Sequence, residues 1–223
     1  MTALGLILLA YLVGSIPTGY WVAKALKNID IRKEGSGSTG ATNVLRCVGA
    51  GPAVFVFICD ILKGFGVVWL AIWCDAAGLL PGVPLPDWKL IPTMVALVSL
   101  VGHSKSIFLG FQGGKSAATG LGTVLAMNPL AAVEAFGTWL AVLGVSRYVS
   151  LASILAAISA GIWMFCNRAP AGYVDYCILG AVYIILRHRA NIRRLISGTE
   201  PRLGQKGDSD DSAKGQADDD EPK

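Results

Sequence analysis

The chain has 223 residues, a formal net charge of +4 and a mean hydropathy of +0.56, with 53% hydrophobic and only 15% charged residues. Soluble domains carry about a quarter of charged residues, so this composition disfavours a soluble domain and indicates a polytopic membrane protein. The five cysteines form no CxxC pair and no cluster with histidine, which disfavours a disulfide framework and a zinc site.

Apolar segments predict an all-α protein with about seven transmembrane helices. The first segment has no charged side chain and no basic region ahead of it, so we interpret it as a retained helix and not a cleaved signal peptide. Pro17 and Gly19 predict a kink near its end. The segment at 116–127 is short and weakly apolar, and a re-entrant piece is the alternative there. The segments cover residues 1–23, 51–74, 90–102, 116–127, 129–145, 148–167 and 171–186.

The second apolar segment contains Asp60 and Lys63, whose spacing predicts an ion pair across one helical turn. Ionisable groups inside a span are costly, so both are functional candidates. A structural ion pair that braces the bundle is the alternative.

Cations concentrate on one side of the predicted membrane domain. With seven spans, the loops after the odd-numbered spans share a face, whereas the opposite loops contribute only Lys89 and Arg168 as cations. By the positive-inside rule the cation-rich face is cytoplasmic, the N-terminus is outside and the C-terminus is cytoplasmic. A re-entrant segment at 116–127 would remove this bias. The cations of the rich face are Lys24, Lys27, Arg32, Lys33, Arg46, Lys105, Lys115, Arg147 and the arginines from Arg187 to Arg202.

We expect one helical catalytic domain over residues 1–200. Residues 201–223 are rich in glycine, serine and aspartate and predict a disordered acidic tail on the cytoplasmic side.

Three polar stretches follow odd-numbered spans and are predicted to meet on the cytoplasmic face. Residues 35–46 combine glycines, hydroxyls, an amide and a cation, a mixture that suits a backbone bent around phosphate oxygens. A flexible interhelical loop is the alternative for this stretch alone. Residues 113–116 end like a P-loop, but Leu109 stands where its first glycine belongs and no strand precedes it. The third stretch, 187–194, is rich in arginine.

Together these stretches predict a site for one or more phosphate-bearing molecules at the lipid boundary. Basic residues next to spans also bind anionic lipid and set topology, but that role does not explain the glycines. The cations lack interleaved aromatic platforms, so no nucleic acid is expected.

Several familiar catalytic patterns are absent from the sequence. There is no DxxD cluster or metal-ligand spacing, no HxxxxD box and no G-x-S-x-G elbow after a strand. We therefore expect no metal and no cofactor. The only histidines, His103 and His188, each stand beside one of the polar stretches.

The three stretches together resemble the motifs of one family, the acyl-phosphate:glycerol-3-phosphate acyltransferases of bacterial membranes, known as the PlsY family. The sequences GSGSTGATNVLR, GHSKSIFLGFQGGKSAAT and RHRANIRRLISGTE resemble the family's GSGNxGATNxxR, GHxxxxFxxFxGGKGxAT and RHxxNIxRLxxGxE. The resemblance covers about residues 5 to 200. Ser38 and Ser116 depart from the family's usual asparagine and glycine.

The resemblance implies transfer of a fatty acyl group from acyl phosphate to the sn-1 hydroxyl of glycerol 3-phosphate. The products are lysophosphatidic acid and phosphate, at the start of phospholipid biosynthesis. It also implies a multi-pass protein of the bacterial inner membrane with a cytoplasmic active site. The implied partners are glycerol 3-phosphate, acyl phosphate and the lipid bilayer, and an enzyme that produces acyl phosphate is a further candidate.

Site residues also follow from the resemblance. Lys115 with its preceding glycines would hold the acceptor's phosphate, while Arg46, Ser36 and Asn43 would orient phosphate and carbonyl oxygens. Glu200 is expected to brace an arginine. The catalytic set is Ser36, Arg46, His188 and Asn191, and the substrate-binding set is Gly37, Ser38, Asn43, His103, Gly113, Gly114, Lys115, Ser150 and Ser153.

No strong base stands near these motifs, so our hypothesis is that the donor's phosphate takes the hydroxyl proton without a covalent enzyme intermediate. A transporter or binding protein for organophosphates is an alternative, but it predicts internal repeats that the sequence does not show. A membrane scaffold is a third, and it leaves the glycine motifs unexplained.

Overall fold

The computed structural model describes residues 2–80 and 89–205, and over these residues it contains ten α-helices. The predicted all-α fold is confirmed. Most of the predicted acidic tail, from residue 206 onward, lies outside the described residues. The helices are α1 (Ala3–Ser15), α2 (Thr18–Lys27), α3 (Ala41–Cys47), α4 (Ala50–Ala76), α5 (Leu90–Ser104), α6 (Ala117–Met127), α7 (Pro129–Ser146), α8 (Val149–Cys166), α9 (Ala171–Arg187) and α10 (Arg189–Ile196).

All seven predicted apolar segments are helical, but they differ in length. In the described part of the chain, four helical segments are long and apolar enough to cross a membrane: Ala3–Lys27, which joins α1 and α2, and the helices α4, α7 and α8. Helices α5 and α6 are apolar but shorter, and α9 has 17 residues. Seven crossings and the orientation in the membrane therefore stay predictions.

The first apolar segment breaks where its sequence predicts a kink. Helix α1 ends at Ser15 and α2 begins at Thr18, after Pro17. The break exposes backbone carbonyl oxygens, and the Nζ of Lys63 on α4 donates to the carbonyl of Ile16 at 3.0 Å. Lys63 also forms the predicted pair with Asp60, at 2.7 Å, and both side chains are buried. The pair thus braces α4 against the α1–α2 break.

Glycines bring two pairs of helices into close contact. Gly14 on α1 and Gly102 on α5 each face the backbone of the other helix, and a methyl group at either position would overlap it. Gly64 on α4 and Gly122 on α6 do the same for that pair. Small residues allow the backbones of membrane helices to approach this closely. These contacts fix α4, α5 and α6, whose ends carry much of the polar site.

Two buried clusters organise the remaining helices. The larger cluster joins α1, α4, α5, α6, α7, α8 and α9, with Tyr176 and Met164 among its largest side chains. The smaller joins α2, α3 and α4 around Val44 and Val56, and includes Ile31 from the connecting loop. The second cluster holds the glycine-rich segment 35–40 against the end of the bundle.

Candidate active site

One cavity of about 380 Å³ begins where the three polar stretches meet and continues between α4, α6, α7, α8 and α9. Its polar end is lined by side chains from all three stretches and from the start of α8. Its inner part is lined by apolar side chains. The polar lining includes Ser36, Arg46, Lys115, Ser150, His188, Asn191 and Glu200, and the apolar lining includes Leu121, Val124, Ala135, Phe136, Trp139, Ala157, Ala160, Cys177 and Ile184.

Most of the predicted site residues line this cavity. They are Ser36, Ser38, Asn43, Arg46, His103, Lys115, Ser150, Ser153, His188 and Asn191. The three predicted glycines, Gly37, Gly113 and Gly114, are not part of the lining. Their proposed contact with substrate therefore stays a prediction, and the structure shows what they contact instead.

The segment between α2 and α3 is braced by the side chain of Asn43. The two hydrogens on its Nδ2 are shared among the carbonyls of Ile31, Glu34 and Ser38 at 3.2, 3.0 and 2.9 Å, and its Oδ1 accepts the backbone N–H of Ser36 at 2.9 Å. The residue is 1% exposed. Since both polar atoms of the amide are engaged within the protein, Asn43 positions the segment.

Ser36 and Arg46 lie at the exposed mouth of the cavity. Ser36 stands between Gly35 and Gly37, whose φ angles of +54° and +68° lie in the left-handed region that favours glycine. Arg46 is in the last turn of the short helix α3. The turn at the two glycines and this helix bring the hydroxyl and the guanidinium group to the same opening.

The second polar stretch folds back onto the end of α5. The backbone N–H of Gly114 donates to the carbonyl of His103 at 3.1 Å. A methyl group at Gly114 would overlap the His103 imidazole, and one at Gly113 would overlap the His103 carbonyl. The two glycines thus allow a close approach to α5, which sets the position of Lys115.

Lys115 points across the cavity mouth to α10, and its Nζ donates to Oδ1 of Asn191 at 2.6 Å. Burial is the main reason that the pKa of Lys115 falls from 10.5 to about 8. The Glu200 carboxylate acts against this shift, and the guanidinium groups of Arg194 and Arg46 act with it.

The following residue, Ser116, has a φ of +65°, and its hydroxyl donates to the Leu100 carbonyl at 2.7 Å. A serine thus occupies a conformation that favours glycine.

Glu200 organises the third stretch, and its expected pairing with an arginine is present. Its Oε2 accepts from Nε of Arg194 at 2.7 Å. Its Oε1 accepts from Oγ of Ser150 at 2.7 Å and from Nδ2 of Asn191 at 2.6 Å. These bonds fix the Asn191 amide so that its oxygen faces Lys115. Glu200 was absent from the predicted site residues, although it ends the third motif.

His188 connects α9 and α10 and is 3% exposed. Its Nδ1 lies 2.8 Å from the carbonyl of Ile184, and since a carbonyl only accepts, Nδ1 carries the proton. Burial lowers the pKa of His188 to about 4 and the Lys115 ammonium adds to this, while the bond to Ile184 opposes it. The imidazole is therefore neutral near pH 7 and its Nε2 is an acceptor.

His103 and Ser153 line the cavity below the polar end. His103 Nδ1 lies 3.6 Å from Oδ1 of Asp60, and has no hydrogen-bond partner within residues 2–80 and 89–205. Ser153 donates to the Val149 carbonyl at 2.8 Å and accepts from Nε1 of Trp139 at 3.3 Å. Asp60 also lines the cavity, a placement that the sequence did not reveal.

The residues that the structure describes contain no group of three or more histidine, cysteine, aspartate or glutamate side chains placed to hold a metal ion. The arrangement offers cations, hydroxyls, an amide and a neutral imidazole around a cavity with an apolar interior. Such a set is chemically able to bind and orient a phosphate group next to an apolar chain.

A family model described as glycerol-3-phosphate acyltransferase matches residues 4–198. The chain belongs to this family. The family membership that the three sequence motifs predicted is therefore confirmed. Curated members are similar over nearly their whole length. The glycerol-3-phosphate acyltransferase of Thermosynechococcus vestitus is 48% identical over 202 residues, which is 90% of this chain and 95% of that protein. The one from Rippkaea orientalis is 50% identical over 206 residues, 90% of this chain and 93% of that protein.

Solved structures of a family member have the same fold. The crystal structure of PlsY, an integral membrane glycerol 3-phosphate acyltransferase, in its glycerol 3-phosphate form is 42% identical, with a TM-score of 0.83 over 91% of this chain and 96% of that chain. Its lysophosphatidic acid form gives a TM-score of 0.80 at 42% identity, over 91% and 95% of the two chains.

Proposed function

We propose that this chain moves a fatty acyl group from acyl phosphate to the sn-1 hydroxyl of glycerol 3-phosphate, giving lysophosphatidic acid and phosphate for phospholipid biosynthesis. Family membership supports the acceptor and the reaction class. The observation that carries the proposal is the cavity itself. It joins a polar end that contains the cations Arg46 and Lys115 to an apolar interior, and these two parts suit a phosphate group and a fatty acyl chain.

The polar end divides between the two substrates. Lys115 binds the phosphate of glycerol 3-phosphate as a point charge, and Asn191 and His188, one helical turn apart, face its hydroxyl groups. Arg46 and Ser36, at the mouth, orient the donor's phosphate and carbonyl oxygens. The acyl chain lies in the apolar interior between the helices.

The proposed reaction depends more on how the two substrates are positioned than on activation of a catalytic side chain. The hydroxyl oxygen attacks the carbonyl carbon, the bond from that carbon to the phosphate oxygen breaks, and the hydroxyl proton passes to the departing phosphate. Acyl phosphate is a mixed anhydride, so the phosphate already leaves easily. The pKa of His188, about 4, makes the imidazole a weak base, which favours the phosphate as proton acceptor and leaves His188 to orient the hydroxyl.

We also propose that the seven apolar segments cross the bacterial inner membrane, with the N-terminus outside and the active site on the cytoplasmic side. The cations of the loops that carry the site support this orientation. A donor generated in the cytoplasm would then reach the mouth directly, which makes the enzyme that produces acyl phosphate a candidate partner.

The test is a transfer assay with purified protein, glycerol 3-phosphate, and either palmitoyl phosphate or palmitoyl-CoA, with products identified by mass spectrometry. We expect lysophosphatidic acid from palmitoyl phosphate alone. Product from the thioester instead would overturn the donor assignment. Folded protein that acylates glycerol 3-phosphate from neither donor would overturn the proposal.

A further inference from the structure

We infer that the apolar part of the cavity ends in a closed floor around Ala160 on α8 and Cys177 on α9, and that this floor sets the longest acyl chain that the site accepts. The inference rests on the proposed acyl-transfer function. It adds a determinant of chain length and names the residues that form it.

The floor is built from four different helices. Val124 on α6, Ala135 on α7, Ala160 on α8 and Cys177 on α9 all line the cavity, and they are only 5%, 4%, 6% and 3% exposed. They also belong to the main buried cluster of the bundle. The inner end of the cavity therefore meets packed protein and does not open to the lipid.

The layer beneath the floor is closed as well. Met164 lies one turn beyond Ala160 on α8, is 0% exposed and packs in the same buried cluster. It is not part of the cavity lining. The cavity thus ends between these two positions.

Two helices give similar depths for the apolar part of the cavity. On α8 the lining runs from Ser150, at the polar end, to Ala160, a rise of about 15 Å at the helical repeat. On α9 it runs from His188 back to Tyr176, which lies next to Cys177, a rise of about 18 Å. An extended chain whose carbonyl is held at the polar end therefore meets the floor at a defined length.

Small side chains at the floor leave its depth adjustable by substitution. Leucine at position 160 would occupy space that alanine leaves open, so the apolar part of the cavity becomes shorter. Alanine at position 164 would open space below the floor, so the apolar part becomes longer. Burying one more methylene group of the ligand, or leaving one exposed, changes its affinity about fourfold, because transfer of a methylene group from water to an apolar site has a characteristic free energy.

The experiment measures binding of unreactive alkyl phosphates, from decyl to octadecyl, to the purified protein. For the unsubstituted protein we expect affinity to rise about fourfold per methylene and then to level off or fall at a break point. Ala160→Leu should move this break point to a shorter chain. Ile162→Phe is the matched control, since Ile162 lies on the same helix, is 57% exposed and is outside the cavity lining; it should keep the original break point.

Met164→Ala keeps the inference falsifiable if Ala160→Leu does not fold, because it should move the break point to a longer chain. A break point that is the same in all variants, or affinity that rises through the whole series, would overturn the inference. Transfer from an equimolar mixture of acyl phosphates gives a second readout, in which the product distribution should shift in the same directions. If the substitutions shift the break point in binding but no acyl transfer is detected, the proposed function is wrong and the inference about the floor is retained.

Discussion

If Lys115 binds glycerol 3-phosphate as proposed, its pKa should make the affinity for this substrate depend on pH. In the proposed role the side chain binds the acceptor's phosphate in its charged form, and its pKa is lowered from 10.5 to about 8. The charged form is therefore present below that pH and lost above it. The charged fraction falls from about nine-tenths at pH 7 to about one-tenth at pH 9. We expect the KM for glycerol 3-phosphate to rise about tenfold over this range.

Two substitutions of Lys115 test whether the loss of its charge causes the rise in KM. Lys115→Arg stays charged throughout, so its KM should be independent of pH over the same range, whatever its value at neutral pH. Lys115→Ala should have a raised KM at every pH and should still fold, because Lys115 lies in a connecting segment and is only partly buried.

The assay records initial rates against glycerol 3-phosphate at saturating palmitoyl phosphate, between about pH 7 and pH 9, with donor hydrolysis subtracted. The acceptor's phosphate has its second pKa near 6, so it stays a dianion over this range. A KM that does not change with pH in the unsubstituted protein would refute the reasoning. An equal rise in KM with pH in Lys115→Arg would also refute it, because an arginine does not lose its charge in this range and the rise could not come from deprotonation of the Lys115 amine.

Three further substitutions test the positioning contacts. Asn43→Ala removes four hydrogen bonds from the α2–α3 segment and should lower the free energy of unfolding by about 2 kcal/mol or more, measured by thermal unfolding. Activity should fall with it, and unchanged activity would remove Asn43 from the site. Gly114→Ala would overlap the His103 imidazole and should reduce kcat/KM at least tenfold, whereas Gly137→Ala, with open space around it, should not. Glu200→Gln replaces one of the two acceptor oxygens with an NH2 group, so the side chain can no longer accept from both Arg194 and Asn191. We expect a lower kcat with an unchanged circular dichroism spectrum, and normal kinetics would show that Asn191 does not need this carboxylate.

The helical architecture follows from the sequence to a large degree. Long apolar runs have few alternatives to helix in a membrane, and Pro17 marks the only break predicted within the first run. The short helix α3 was not predicted, whereas the spacing of His188 and Asn191 was interpreted as one helical turn, as in α10. Helix α3 lies within a glycine-rich stretch whose composition is typical of a loop. It is stabilised by the small cluster around Val44 and Val56, which forms only when α4 is in place.

The site was predictable as a set of residue types and less so as a set of roles. Residues with cationic or hydroxyl groups, such as Lys115 and Ser150, line the cavity as expected. The glycines at 113 and 114 contact the end of α5, and only the folded chain shows whether a glycine faces a ligand or another helix. An amide is similarly ambiguous, and Asn43 uses its polar atoms on the backbone of its own segment.

The contacts divide the polar end into two halves that are held independently. Lys115, Asn191, Glu200 and Ser150 form one continuous network. The segment with Ser36 and Arg46 is braced by Asn43, and among the described residues no hydrogen bond joins it to that network. Two phosphate-bearing substrates placed between the halves would meet cations from both sides. In the proposed reaction such an arrangement would align the acceptor's hydroxyl with the donor's activated carbonyl, and proximity would then supply a large part of the rate enhancement. This would explain how acyl transfer proceeds without an activated nucleophile among the described residues that line the cavity.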